Sequence, residues 1–220
     1  MRVLITGASK GLGLVVAEEF EKDCEVIRFD SKRMDFTRID PSWMIGLPEV
    51  DAVIHCAGGG LGLRGCYLPA SEFYKIFMVN LGGAAEINRM VVPTMQERRK
   101  GYVVHVCSIA SGEEIGSVGY NTVKAALAAY VRSLGRELAS YGVVVTGISP
   151  GGFKAPGNAM ERLKVSGPSA YEEFVSKRLP RGKMGQAEEL IPLLKFLTSP
   201  AASMMAGSVV PIDAGEGHYY

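Results

Sequence analysis

Residues 2–20 read RVLITGASKGLGLVVAEEF. Arg2 to Thr6 is a short apolar run rich in β-branched residues, the pattern of a buried strand. It enters Thr6-Gly7-Ala8-Ser9-Lys10-Gly11-Leu12-Gly13 and then Leu14 to Phe20, which reads as a helix. Strand, glycine turn and helix in that order make the start of a dinucleotide-binding unit. The glycines allow a tight turn and a close approach of backbone to pyrophosphate, which the helix amino terminus attracts. The spacing is not the standard GxGxxG, so the reading leans on the position of the turn at the head of an alternating α/β chain. The plain alternative is a glycine turn between packed elements.

Cys24 to Phe29 reads as a second strand ending at Asp30, 23 residues after Gly7. A carboxylate at about that distance binds adenosine ribose hydroxyls and repels the 2′-phosphate of NADP. Asp30 therefore favours NAD, while Lys10, Lys32 and Arg33 are the side chains that would take NADP. Ser31 to Arg33 is too short for a helix, so a strand is expected around Met34 to Phe36, with Asp35 facing the adenine. Pro41 to Leu47 has room for one or two helical turns. Asp51 to Cys56 is a central strand closed by Ala57-Gly58-Gly59-Gly60-Leu61-Gly62, a loop open to a ligand.

Ser71 to Lys100 reads as a long helix with Ser71 as N-cap, Pro93 as a kink, and Glu97-Arg98-Arg99-Lys100 before a stop at Gly101. Asn80, set among Met78, Val79 and Leu81, needs a buried partner or a water. Tyr102 to Cys107 is the next strand, delivering Ser108 at its carboxyl end, where open α/β sheets build their sites. Tyr120 and Lys124 are four apart, so on a helix they leave one face about a turn apart. The ammonium favours the phenolate form, which makes the pair a poised proton donor and acceptor. A helix continues to Leu138, with Ala125, Ala126, Ala128 and Ala129 as a flat packing face. Val143 to Ser149 is a sixth strand ending in Pro150-Gly151-Gly152. Periodicity then weakens, and 152–185 reads as a substrate lid containing Phe153, Met160, Leu163, Tyr171 and Phe174. Gln186 to Leu197 reads as a helix despite Pro192, and Ser208 to Ile212 as a last strand.

Composition narrows the class. The 220 residues are 47% hydrophobic and 21% charged with a formal net charge of +1, as in one ordinary soluble domain. No basic block points to nucleic acid or an anionic membrane, and no apolar run has transmembrane length. Cys24, Cys56, Cys66 and Cys107 lack CxxC pairing and suit a reducing, cytoplasmic setting. The amino terminus has no signal-peptide layout. His55 and His105 lie in strands with no metal-ligand spacing around them, and both read as histidines satisfied by their surroundings. No metal is expected.

These pieces together resemble the classical short-chain dehydrogenase/reductase family over nearly the whole chain. The matching residues are Thr6-Gly7-x-x-x-Gly11-x-Gly13, Ala57-Gly58, Asn80, Ser108, Tyr120-x-x-x-Lys124 and Pro150-Gly151. Leu179 to Glu189 and Ile212-Asp213-Ala214-Gly215 match the family's closing segments. The resemblance implies a three-layer α/β Rossmann fold, a doubly wound parallel sheet of about seven strands with helices on both faces. It implies hydride transfer between a nicotinamide, NAD(H) or NADP(H), and a small alcohol or carbonyl substrate. Tyr120 would be the acid and base, Lys124 its tuner and ribose ligand, Ser108 the carbonyl-orienting donor, and Asn80 the holder of a relay water. Cofactor contacts would come from Gly7, Ser9, Lys10, Gly11, Leu12, Gly13, Asp30, Asp35, Phe36, Ala57, Gly58, Tyr120, Lys124, Pro150, Gly151 and Phe153. A homodimer or homotetramer paired through the helices at 71–100 and 120–138 is implied as well. The chain departs from the family pattern at His55-Cys56, where two asparagines are usual, and at Ala155, where a threonine often stands. The Ser108 to Tyr120 gap is one residue shorter than common. These departures leave a nucleotide-binding homologue without turnover as the alternative.

Overall fold

The apolar runs alternate residue by residue between two cores, as strands covered on both faces must. In the computed structural model, which describes residues 1–30, 35–36 and 46–218, the strands are β1 (Arg2–Thr6), β2 (Glu25–Phe29), β3 (Ala52–His55), β4 (Gly101–Val106), β5 (Val143–Pro150), β6 (Phe153–Lys154), β7 (Gly185–Gln186) and β8 (Val209–Ile212). Six of them form one parallel sheet in the order β2-β1-β3-β4-β5-β8, and β6 pairs with β7 in a small second sheet. The helices are α1 (Gly11–Phe20), α2 (Ala70–Phe77), α3 (Gly83–Glu97), α4 (Val118–Leu138), α5 (Ala159–Ser166), α6 (Pro168–Arg178) and α7 (Ile191–Leu197). Val3, Ile5, Ile54, Val104 and Ile148 enter one core with Val16 and Phe20 of α1 and Leu194 of α7. Leu4, Val53, Val103 and Val145 enter the other with Ile87 and Val91 of α3 and Leu127 and Val131 of α4. This is the three-layer Rossmann arrangement, and its strand order reverses between β1 and β3.

Several local expectations are corrected. The expected strand around Met34 to Phe36 lies partly outside the described residues, and Asp35 and Phe36 themselves belong to no strand. Most of Pro41 to Leu47 is likewise outside them. Ser71 is not an N-cap: α2 begins at Ala70 after Pro69, whose fixed φ sets the entry. The long helix is not continuous, because Met78–Gly82 is a π-helical turn between α2 and α3. Its stop is Arg99, in the left-handed region at φ 51°, whereas Gly101 opens β4. Glycine is needed at 101 for packing, since a Cβ there would stand 2.5 Å from the Met95 sulfur. The four alanines of α4 do not share a face: Ala125 and Ala129 are exposed and Ala128 is buried. The aperiodic stretch after β6 folds into α5 and α6, neither of which buries a residue. Residues 187–190 form a 3-10 turn under a Gln186/Glu189 capping box, and Pro192 sits in the first turn of α7, where its missing N–H costs nothing.

The second core holds a polar knot. His55 and His105 are register partners on β3 and β4, both buried, and their rings stack at 4.5 Å with an interplanar angle of 20°. Asn88 of α3 lies behind them. Its Oδ1 meets His55 Nε2 at 2.9 Å, and its Nδ2 reaches His105 Nε2 at 3.3 Å and the Tyr130 hydroxyl at 3.2 Å. The histidines are thus satisfied on one nitrogen each; neither Nδ1 has a partner among the described residues. Burial pushes His55 down from 6.5 to about 4 and His105 well below its usual value. The unfolded chain therefore takes up these protons first, and stability is lost as pH falls from 6.5 toward 4. Unfolding free energies from urea titrations at pH 7 and pH 5 are expected to differ by about 2 kcal/mol for His55 alone. His55→Val should remove that share and leave the share of His105.

Candidate active site

Because β1, β3, β4 and β5 are parallel, their carboxyl ends deliver Gly7, Ala57, Ser108 and Gly151 to one edge of the sheet. The glycine turn is built on missing side chains. Gly7 has φ 68°, and a Cβ on it would stand 2.8 Å from the Ala57 nitrogen. A Cβ on Gly13 would stand 2.3 Å from the Gly7 oxygen, so α1 presses directly on the turn. The Gly7 N–H donates to Phe29 O at 2.8 Å, and the Ala57 N–H to the Thr6 hydroxyl at 3.2 Å. Ser9 and Lys10 are exposed beside the turn, and Leu12 is buried under it. Gly11, with φ 62°, opens α1, and its N–H donates to Pro156 O at 2.7 Å. Asp30 follows β2 at the same edge and is half-buried. Asp35 is exposed, whereas the Phe36 ring is core, packed where a side chain on Gly83 would be.

Asn80 sits in the π-helical turn, 2% exposed. Such turns recur at functional sites. Its side chain clamps Gly59 from both sides, accepting the Gly59 N–H at 3.0 Å and donating to the Gly59 carbonyl at 2.9 Å, with a further bond to Ile76 O. This is the buried partner that the sequence demanded. Gly58 lies between Asn80 and Lys124: a Cβ there would be 2.9 Å from Asn80 Oδ1 and 3.4 Å from Lys124 Nζ.

Lys124 is 3% exposed and donates from Nζ to Val106 O at 2.8 Å. Its ammonium lies 5.6 Å from the centroid of the Tyr120 ring, one helical turn away as the spacing predicts. The ring is half-buried between Gly60 and Gly116. Ser108 caps a short 3-10 turn, its Oγ accepting the Ala110 N–H at 3.1 Å, and its carbonyl accepts the buried Ser149 hydroxyl at 3.2 Å. Burial pushes the thiol of Cys56, on the loop after β3, up to about 12. Among the described residues no group of three or more His, Cys, Asp or Glu is placed to hold a metal ion.

On the far side of Ser108 the structure adds contacts that sequence reasoning missed. Glu216, 3% exposed, accepts the Gly152 N–H, and burial pushes its carboxyl up. Arg178, at the end of α6, lies 3.6 Å from Glu216 and 4.0 Å from Glu113, and Glu113 also accepts the His218 N–H. This cluster ties α6, the carboxyl-terminal segment and the loop after Ser108. Asn88 had a visible signal, a polar residue at helical spacing among Ala84, Ile87 and Val91 on a buried face. Glu216 had none, because exposed-looking sequence around it hides its burial.

A family model described as enoyl-(acyl carrier protein) reductase matches residues 23–216. The chain is 29% identical over 171 residues to a 2-dehydro-3-deoxy-L-rhamnonate dehydrogenase (NAD(+)) of Sphingomonas sp. (strain SKA58), covering 77% of this chain and 66% of that protein. It is 26% identical over 239 residues to the 3-oxoacyl-[acyl-carrier-protein] reductase MabA of Mycobacterium avium, covering 98% and 89%. The first alignment thus spans just under two thirds of its relative. The fold matches a crystal structure of actinorhodin polyketide ketoreductase with NADPH at a TM-score of 0.87 and 22% identity, covering 99% of this chain and 97% of that one. The chain belongs to the classical short-chain dehydrogenase/reductase family, a family of NAD(P)-dependent oxidoreductases. Among the described residues no helix is long and apolar enough to cross a membrane.

Gly182 is a natural control for the glycine turn, with φ 63° and open space where a Cβ would go. Gly182→Ala is expected to cost about 1 kcal/mol, the left-handed backbone penalty alone. Gly7→Ala adds the collision with Ala57 and is expected to cost roughly 2 kcal/mol more, read from urea unfolding of the two variants side by side.

Proposed function

We propose that the chain is an NAD(P)-dependent oxidoreductase acting on a small alcohol or carbonyl compound, with Tyr120 as general acid and base. The observation that carries this is the buried Lys124, held by Val106 O one turn behind Tyr120 in the cleft at the strand ends. A dinucleotide fits the residues present: Gly7 and Gly13 let the turn, Ala57 and the head of α1 close on one another, and a Cβ on Gly11 or Gly59 beside them would meet nothing within 4 Å. Gly7, Ser9, Gly11, Leu12, Ala57, Gly58, Pro150 and Gly151 would hold it, with Asp30 and Asp35 toward the adenosine. When bound, the nicotinamide accepts or supplies the hydride.

Tyr120 gives its phenolic proton to the carbonyl oxygen in reduction and takes the alcohol proton in oxidation. Lys124, held by Val106 O, directs its remaining N–H groups to the ribose. Ser108 donates to the substrate oxygen, and Asn80, bonded to both backbone groups of Gly59, is the residue that holds the relay water. Phe153, Met160, Leu163, Tyr171 and Phe174 are all half-buried, which supports 152–185 as a lid with an apolar inner side. NAD is the preferred cofactor, on the half-buried Asp30. The four free cysteines support a cytoplasmic location.

Calorimetric titration with NAD, NADH, NADP and NADPH, followed by turnover on a carbonyl panel, tests the reading. NADH is expected to bind more tightly than NADPH, and Tyr120→Phe to keep cofactor affinity while losing about 10²–10⁴-fold in kcat. Unchanged turnover in that variant would remove Tyr120 from the chemistry. The second reading, binding without turnover, is favoured by the departures from the family pattern at His55-Cys56 and Ala155, on the cofactor side of the site. It expects cofactor binding and no hydride transfer on any member of the panel.

The oligomer is part of the same proposal. Tyr74, Phe77 and Val118 are exposed on α2 and α4, next to exposed Thr122, Ala125 and Ala129, and Tyr67, Leu68, Phe73 and Val118 line a groove of about 450 Å³. A dimer or tetramer through this face is expected by light scattering at micromolar concentration. Tyr74→Glu with Phe77→Glu should give the monomer.

A further inference from the structure

The polar knot in the second core stands directly behind the two strand ends on which the proposed chemistry depends. β3 ends at His55 and passes at once into Cys56, Ala57 and Gly58. β4 passes from His105 to Val106, whose carbonyl holds Lys124. Neither end has slack. Ala57 touches Gly7 so closely that a methyl group would not fit between them, and Lys124 has Val106 O as its one hydrogen-bond acceptor among the described residues.

A core built for stability alone would carry valine at these two positions, as β3 and β4 do at Val53 and Val103 on the same face. Instead two histidines are buried, each with an unpartnered Nδ1, and one amide of α3 serves both. The amide chemistry is specific. With Oδ1 on His55, that ring carries its proton on Nε2; with Nδ2 on His105, that ring accepts at Nε2 and carries its proton on Nδ1. The second Nδ2 proton goes to Tyr130 on α4. One side chain thereby fixes the lateral position of two strand ends and the helix that carries Tyr120 and Lys124. A hydrogen bond has a direction and a length, and apolar contact has neither, so the knot sets position where packing would only fill volume.

We propose that Asn88 is a positioning residue: through His55 and His105 it fixes the carboxyl ends of β3 and β4, and with them the nucleotide loop at Ala57 and the Val106 carbonyl that holds Lys124. The role rests on the cofactor reading above and adds to it a residue that touches neither cofactor nor substrate.

Two variants and the wild type test it. Asn88→Leu leaves two buried ring nitrogens and the half-buried Tyr130 hydroxyl without Asn88 as partner, and His55→Val/Asn88→Leu/His105→Val removes the ring nitrogens as well. Thermal melting, NADH and NADPH dissociation constants by fluorescence, and kcat and KM separately are read for each. Asn88→Leu is expected to melt lower and to raise the dissociation constant of the better-bound cofactor at least tenfold. The triple variant is expected to recover the melting temperature while its dissociation constant stays at least tenfold high and its kcat low. Recovery of melting and binding together would make the knot merely structural and overturn the proposal, as would cofactor binding within twofold of wild type in Asn88→Leu. Nitrogen-15 spectra of wild-type histidines give a readout independent of cofactor. They should show one ring protonated at Nε2 and the other at Nδ1; two identical tautomers would overturn the geometry even if neither variant folds. Wild-type protein that binds neither NADH nor NADPH would sink the cofactor reading and this role with it, whereas binding in the wild type that the variants leave intact sinks this role alone.

Discussion

The site end of the sheet turns on a close approach of two backbones, that of Gly7 in the turn after β1 and that of Ala57 after β3. No side chain other than hydrogen fits at position 7, and the left-handed φ of 68° would strain any other residue as well. That contact sets how far the first helix can stand from the sheet, because Gly13 of α1 presses on the carbonyl of Gly7 in turn. It also decides where the crevice opens, since β1 and β3 are neighbours at the point where the strand order reverses. The family's glycine pattern is therefore a packing condition first, and the cleft for a dinucleotide is its by-product.

Around this contact the loops are fastened by polar side chains that bond to backbone. Asn80 grips Gly59 on both its N–H and its carbonyl, Lys124 grips Val106, Ser149 grips Ser108 and Glu216 grips Gly152. Each of these side chains is buried, so each bond is made away from competing water and its loss would leave an unpaired group. Rigid strand ends and pinned loops are what a proton-transfer geometry needs, because small displacements of an acid from its acceptor are costly in rate. Arg178 differs in kind. It is about a third exposed and reaches Glu113 and Glu216 at 3.6–4.0 Å, a looser tie than the buried bonds.

The sheet was legible in the sequence because its strands are β-branched runs of the right length, and covering both faces leaves no ambiguity about which side is core. Tyr120 and Lys124 were legible because helical spacing converts a four-residue separation into a shared face. Asn80 announced itself as a polar residue in an apolar stretch, but the π-helical turn that carries it did not, since an i→i+5 bond leaves no pattern in residue types. The helix stop at Arg99 was misread because glycine is the usual left-handed residue, and Gly101 two places on was there for a different reason, the sulfur of Met95. α5 and α6 were invisible because they bury nothing and so have no apolar stripe. His55 and His105 were read as satisfied by their surroundings, which holds for one nitrogen of each. The neighbour that does it is 33 residues from one and 17 from the other, a separation that only the folded sheet closes.

The bond from the Gly11 N–H to the Pro156 carbonyl joins two parts of the molecule that are far apart in sequence, the head of α1 and the strap that leads into α5. The two are then thermodynamically coupled. Whatever stabilises the strap against α1 changes the affinity of that helix end for an anion by some factor, and an anion there changes the stability of the strap by the same factor. An event at one end of the crevice is in this way registered at the other without any rearrangement of the sheet between them. The coupling between the two ends passes through one carbonyl group.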